Sequence, residues 1–412
     1  MKSSRAQKKQ GLRVFMMDLL SIVPYYDAYL CEALRSQDVD VILGAITYHL
    51  DRSCFSRRNV KTRPGLLDVV GRFTLPKRFR RALKLLETTI NMLALAVRFL
   101  WSSPDVIHVQ YLPMLQWGLP IDFWFLRYCR NLGSSLVCTV HDILPSDTGE
   151  KHAGTFHKLY GMMDALICHS DAIKQQLITR FAIPADRIQI IPHGPFFHDL
   201  PGMSAGQRKI NVTNPEVIVL FQGLIRPYKG VDFLLDAWSL VQRSGVRARL
   251  VIAGNSDDLS LLNAVQEKVT SLGLQSSVEL CFKFLPVEEM IACYQAADIV
   301  VYPYKAVTTS GALMTGVGQG KAIIATALPP FLEILQHEKN ALLCQYGDTP
   351  QLAAALLRLI NDPALRNRLG AAASTLNLGQ QAWQQIAAQT YDCYLSVARR
   401  HVASVLESQS AA

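Results

Sequence analysis

The stretch Val217-Ile218-Val219-Leu220-Phe221-Gln222-Gly223-Leu224-Ile225-Arg226-Pro227-Tyr228-Lys229-Gly230 decides the fold. Its first five residues are an unbroken apolar run, the pattern of a strand buried on both faces of a parallel sheet. Gly223 ends the run. Arg226 and Lys229 follow with Pro227 between them, and Gly230 closes the turn before an amphipathic helix that opens Val231-Asp232-Phe233-Leu234-Leu235. Ligands of open α/β sheets bind outside the carboxyl ends of the strands. Two cations released at that edge, just ahead of a helix N-terminus, suit a phosphate or diphosphate. The same pair would also be ordinary on a solvated loop.

From this stretch the strand–helix alternation runs in both directions. Downstream, strands are expected over 249–253, 278–282, 299–302, 322–325 and 341–344, with helices over 257–271, 287–297 and 349–361. Upstream they fall over 13–17, 39–43, 105–109, 136–140, 165–168 and 188–191, with helices over 25–36 and 171–181. Residues 201–215, rich in Gly, Ser, Asn and Pro, read as a linker. The organisation is therefore α/β: two facing doubly wound domains with a cleft between their carboxyl edges, over 1–200 and 216–380. A last helix over 381–412 crosses back to the N-terminal domain. The chain length of 412 residues suits two such domains, and an apolar content of 50% fills two cores.

The net charge of +9 is concentrated in one place. Between Asp51 and Lys84 stand eleven cations against Asp51 and Asp68, which equals the surplus of the whole chain. Arg72, Lys77, Arg78, Arg80, Arg81 and Lys84 lead into 79–101, a helix with a cationic start and almost wholly apolar later turns. The segment 52–101 is either an amphipathic helix packed on the sheet or a monotopic helix whose cations meet anionic headgroups. No nucleic-acid module surrounds it. The mean hydropathy of +0.16 is high, yet no apolar run is long enough for a spanning helix. The basic start followed by Leu12 to Asp18 reads as a first strand, without a signal-peptide cleavage site, so a cytoplasmic protein peripheral to the inner membrane face is expected. Nine scattered cysteines without a C-x-x-C pair read as reduced core residues.

From Gly223 to Asp348 the second half is similar to the donor-binding domain of retaining nucleotide-sugar glycosyltransferases of family 4, which have the GT-B fold. The matching residues run in order: Gly223 to Gly230, Ala253-Gly254-Asn255, Phe284-Leu285-Pro286, Ala296-Ala297-Asp298, Tyr302-Pro303-Tyr304, Thr309-Ser310-Gly311, Gly320-Lys321-Ala322, Glu333, Asn340 and Gly347-Asp348. The first half agrees more weakly, through Pro24-Tyr25-Tyr26, Thr139-Val140-His141-Asp142, His169-Ser170 and Pro192-His193-Gly194-Pro195.

The resemblance implies that Arg226 and Lys229 bind the diphosphate of a UDP- or GDP-sugar and that His141 faces the donor sugar. Gly223, Asn255, Phe284, Thr309, Ser310, Gly311 and Thr315 would complete the donor site. It implies a lipid-linked or glycan acceptor, no cofactor and no metal. In the family's common pattern two glutamates stand where this chain has Val307 and Thr315, which resembles a Ser-Gly branch without the paired acids. Thr315 or backbone groups would then replace the ribose contacts. A non-catalytic glycosyltransferase-like scaffold is the competing expectation, and an epimerase or phosphorylase on the same fold a weaker one. Three motifs carry little. Asp38-Val39-Asp40 mimics a metal-binding D-x-D without a second acidic cluster. Gly316-x-Gly318-x-Gly320 precedes a strand instead of following one, and His152 and His157 lack a zinc-hydrolase spacing.

Overall fold

A computed structural model describes residues 11–37, 39–73, 76–112, 114–115, 119–144, 149–199, 217–376 and 379–410, with the side chains of 71, 77, 149 and 400–410 left aside. The expected linker 201–215 and Asp38 lie outside the described residues. The chain divides into two compact units, residues 1–192 with 383–412, and residues 193–382.

The first unit holds six parallel strands: β1 Leu12–Met17, β2 Val39–Gly44, β3 Val106–Val109, β4 Ser135–Val140, β5 Ala165–Cys168 and β6 Ile188–Ile190. Their order is β2-β1-β3-β4-β5-β6. The helices are α1 Pro24–Leu34, α2 Lys77–Phe99, α3 Ile121–Asn131, α4 Ala153–Met162 and α5 Asp171–Phe181. β3, β4 and β5 are buried at every position, and apart from His108, Ser135 and Thr139 their residues are apolar. The order reverses between β1 and β3, so the carboxyl ends of these strands frame a switch point.

The second unit holds β7 Val217–Gln222, β8 Ala248–Ala253, β9 Val278–Cys281, β10 Ile299–Tyr302, β11 Ala322–Thr326 and β12 Leu342–Cys344, in the order β12-β11-β10-β7-β8-β9. Its helices are α6 Val231–Arg243, α7 Leu259–Ser271, α8 Val287–Ala296, α9 Gly311–Gly318, α10 Pro329–Leu332, α11 Thr349–Asn361 and α12 Pro363–Ser374. The switch point falls between β7 and β10. Asp298 locks that pair, accepting the Ile218 N–H at 2.8 Å and returning its own N–H to Ile218 O. α7 begins at Leu259, not at residue 257, because Asp258 is its N-cap and accepts the Ser260 N–H at 3.0 Å. Asp362 caps α12 in the same way.

One boundary differs from expectation, and the last helix crosses back as expected. The first unit stops at Pro192 and not near residue 200, because Phe196 packs its ring over Gly311 and His198 lies against Gly379, both in the second unit. The last helix, α13 Gln380–Ser410, joins the first unit from Trp383 onward. Trp383 stacks on Tyr29 at 5.2 Å, and the Tyr394 hydroxyl lies 2.6 Å from His108 Nδ1. All nine cysteines are free, seven of them buried. Among the described residues no helix is long and apolar enough to cross a membrane.

The β7 and β8 ends approach so closely that Gly254 has no room for a side chain. A Cβ there would stand 1.8 Å from Gly223 O, a backbone atom that cannot swing away. Gly254→Ala therefore forces the two strand ends apart. A loss of about 2–4 kcal/mol in urea-induced unfolding is expected, with correctly folded wild-type-like stability as the contrary result.

Candidate active site

In the second unit the turn after β7 puts its two cations at the switch point. Pro227–Lys229 form a single 3-10 turn that ends on Gly230 with φ 68°, a left-handed conformation suited to glycine. A Cβ on Gly230 would lie 1.9 Å from Pro303 O, so the turn presses directly on the loop that follows β10. The Lys305 N–H donates to Tyr228 O at 2.8 Å and fixes the two loops together.

The consequence is the placement of Lys229. Its side chain is only 9% exposed, and its Nζ lies 3.8 Å from the centroid of the Tyr304 ring. No carboxylate among the described residues pairs with it. A cation–π contact is worth about 1–2 kcal/mol, which does not replace the hydration of a buried ammonium. Arg226 is tied to Asp257 at 3.3 Å, with the arginine side chain 25% and the aspartate 84% exposed. Such an exposed pair contributes about 0–1 kcal/mol, so Arg226 can exchange this partner for an anion at small loss.

The remaining expected donor residues divide. Gly223 and Asn255 close β7 and β8, and the Ile225 N–H donates to Asn255 O at 2.8 Å, so Asn255 shapes the turn through its backbone. Phe284 and Thr309 are half-buried on the loops after β9 and β10. Ser310 is the N-cap of α9, its hydroxyl accepting the Leu313 N–H at 3.1 Å, and Gly311 starts the helix. Thr315 is held more tightly than the others. It is buried, and its hydroxyl donates back to Gly311 O at 2.9 Å inside α9. Its one hydroxyl proton is thus used inside the helix, and only its acceptor lone pairs remain for a ligand. Val307 packs on the core. Asn340 is structural too, closing its loop with Oδ1 on the Gln336 N–H at 2.7 Å.

In the first unit the carboxyl ends of β3 to β6 are joined by a row of side chains that sequence reasoning caught only in part. His141 follows β4. Its Nε2 lies 2.8 Å from the Gln110 carboxamide after β3, and its Nδ1 lies 3.5 Å from His169 Nε2 after β5. His169 Nδ1 donates to Ile191 O at 2.9 Å, which leaves Nε2 as the acceptor for the His141 Nδ1–H. His141 Nε2 then faces the carboxamide, which can offer either its N–H or its oxygen. Tyr26, in the first turn of α1, sets its ring edge-on to His141 at 4.8 Å. The loop that carries Tyr26 is shaped by buried Asp18, whose Oδ2 accepts the Val23 N–H at 2.9 Å. Burial pushes the Asp18 carboxyl up to about 6. Gln110 had a signal: it is the first polar residue after a short buried strand.

A family model for glycosyl transferases group 1 matches residues 216–362, and one for glycosyltransferase family 4 matches residues 26–194. The chain is a glycosyltransferase of the GT-B fold, similar in both units to family 4 enzymes. A D-inositol 3-phosphate glycosyltransferase of Corynebacterium aurimucosum is 28% identical to this glycosyltransferase over 305 residues, covering 70% of this chain and 71% of that one. A sucrose-phosphate synthase from Thermosynechococcus elongatus superposes with a TM-score of 0.73 at 20% identity, over 93% of this chain and 98% of its own. HepE of Anabaena, solved in complex with UDP and glucose, gives 0.69 at 17% identity, over 92% and 99%. These likenesses place the group 1 match on the unit that carries Lys229 and the family 4 match on the unit that carries His141.

Burial holds the His169 imidazole down at about 4, opposed by its hydrogen bond to Ile191 O. Because the unfolded chain binds this proton near pH 6.5 and the folded one does not, His169 adds stability above pH 6.5 that is lost as pH falls toward 4. His169→Asn should therefore lose about 2 kcal/mol less than wild type between pH 7 and pH 5 in denaturant unfolding. An unchanged acid limb in the variant would show that the buried ring does not govern it.

Proposed function

We propose that this glycosyltransferase moves a hexosyl group, with retention and without a metal ion, from a UDP- or GDP-sugar to a lipid-linked or polysaccharide acceptor. It would do so as a peripheral protein at the cytoplasmic face of the cell membrane. The observation that carries the donor half of this reading is Lys229, a buried cation that has no carboxylate partner among the described residues, beside Arg226 at the β7/β10 switch point. HepE, a neighbour of the same fold, was solved with UDP, which supports a nucleotide-sugar donor.

The chemistry follows from where charge develops. The bond between the anomeric carbon and the diphosphate oxygen breaks, and its electron pair leaves on the diphosphate. The acceptor hydroxyl forms the new glycosidic bond and gives up its proton. The ammonium of Lys229 and the guanidinium of Arg226 stabilise the leaving diphosphate more in the transition state than in the ground state. Half-buried surroundings strengthen that effect relative to water. His141 contributes a ring nitrogen for a hydroxyl of the transferred sugar, with its orientation set by Gln110 and His169. Retention is inferred from the family resemblance, and the anomeric configuration of the product by NMR decides it.

The acceptor half rests on α2. Its inner face packs Met92, Leu95 and Phe99 into the first core. Its outer face carries Phe79, Leu83, Leu86, Ile90, Leu93 and Val97, all exposed at helical spacing, followed by Trp101 at 78%. The basic loop before it is stapled down, with Asn91 clamping both backbone groups of Leu67 and Glu87 accepting the Val69 and Val70 N–H groups. Arg72, Arg78, Arg80 and Arg81 are exposed, while the Lys77 side chain lies outside the described residues. Lys84 departs from expectation: it pairs with buried Glu87 at 2.7 Å and is turned inward. Glu87 is the only acid of α2, so the outer face is apolar with cationic flanks and no anions. A second copy of this helix would set like charges together, whereas an anionic leaflet complements them.

In a transfer assay with radiolabelled nucleotide-sugars and a membrane extract, Lys229→Ala and Arg226→Ala should each lower kcat by about a hundred- to a thousandfold. Activity that persists in both variants would remove the assigned site. Separately, Leu86→Ser combined with Leu93→Ser should release the protein from sedimenting vesicles that contain phosphatidylglycerol, with folding unchanged by circular dichroism. Equal sedimentation of variant and wild type would mean that the stripe does not dock.

A further inference from the structure

At the end of the first sheet opposite His141 lies a cavity of about 130 Å³. It is walled by the starts of β1 and β2, by the last turn of α2 and by Ser102 and Ser103. Three arginines, Arg13, Arg63 and Arg98, are among its lining residues, against one acidic residue, Asp40. Two of these charges are already matched: Arg13 pairs with Asp105 at 3.1 Å and Asp40 with Lys61 at 2.9 Å. Arg63 and Arg98 have no carboxylate partner among the described residues. The carboxyl end of α2 favours one cation in its last turn, and Arg98 would serve there. That leaves unexplained why Arg63, on the separate stretch that runs beside Leu43, is brought to the same cavity. Phe15 and Phe99, packed edge-to-face at 5.2 Å, make a rigid apolar floor.

The volume is too small for a nucleotide, since such sites take roughly 300–1,000 Å³. It suits one phosphate group, and the arginine fork matches phosphate oxygens in pairs. Its position says which phosphate. Ser102 and Ser103 directly follow Leu100 and Trp101, the exposed end of the α2 stripe. We infer that the cavity seats the phosphate headgroup of an anionic lipid while the outer face of α2 lies in the interface. This rests on the membrane reading above and adds to it a fixed headgroup position, held by Arg63 and Arg98.

The test uses charge-conserving variants, because diffuse attraction to a leaflet depends on charge alone whereas a phosphate site depends on the guanidinium fork. The full chain, Arg63→Lys with Arg98→Lys, and Leu86→Ser with Leu93→Ser are compared on phosphatidylcholine vesicles with and without phosphatidylglycerol. Wild type should prefer the phosphatidylglycerol vesicles by about tenfold or more. The lysine double variant should lose most of that preference and keep its weaker binding to phosphatidylcholine, with an unchanged melting temperature. The stripe variant should lose both. Soluble glycerol 3-phosphate should compete only weakly.

Equal preference in wild type and the lysine variant overturns the headgroup site and leaves the stripe standing. Wild type that binds neither vesicle overturns the membrane reading itself. Binding of soluble glycerol 3-phosphate that depends on Arg63 and Arg98, without any vesicle preference, overturns the lipid assignment in favour of a free phosphoester.

Discussion

Lys229 holds an ammonium group 3.8 Å from the Tyr304 ring with no carboxylate partner among the described residues, and the carboxyl edge of the second sheet is arranged to keep it there. Gly230 must be glycine for the turn to press on Pro303 O, and Gly254 must be glycine for β8 to end against Gly223. Asp298 fixes the start of β7 relative to β10, so the two loops that hold the lysine cannot slip in register. A buried cation without a counter-ion is unfavourable in the empty protein. It becomes favourable when an anion enters, which is the relation a donor site for a diphosphate requires.

The first unit is organised on the opposite principle. Its edge is a neutral, fully bonded row: Gln110, His141, His169 and the backbone of Ile191, one from each of four neighbouring strand ends. Burial keeps His169 and His108 uncharged, so the row orients His141 without adding charge. The charged part of this unit is elsewhere, around α2 and the basic loop stapled to it. Under the proposed function the roles would be separated by electrostatics: fixed cations for the donor, neutral hydrogen-bonding groups for orientation, and a cationic apolar helix for the leaflet.

The sheets were legible because parallel strands buried on both faces read as mostly apolar runs, and all twelve begin within one residue of the expected position. Arg226 and Lys229 were legible because they follow such a run. What was hidden depends on distance along the chain. Tyr304 reaches Lys229 from the neighbouring strand's loop, and Gln110 and His169 reach His141 across 31 and 28 positions through the sheet. Thr315 read as a polar group on a binding helix, yet a threonine inside a helix can bond its own backbone, and this one does. Lys84 read as one more surface cation until Glu87, one turn on, drew it inward. The apolar turns of α2 did not say which face was buried, since both faces carry large apolar residues.

The central claim is that the charge of Lys229 is completed by a diphosphate. Its most direct measurement is the melting temperature of wild type and of Lys229→Met against UDP, GDP and their monophosphates, since a ligand that binds only the folded state must raise it. A rise for at least one diphosphate, smaller for its monophosphate and absent in Lys229→Met, is the expected result. Equal rises in wild type and variant, or no rise with any nucleotide, would contradict it.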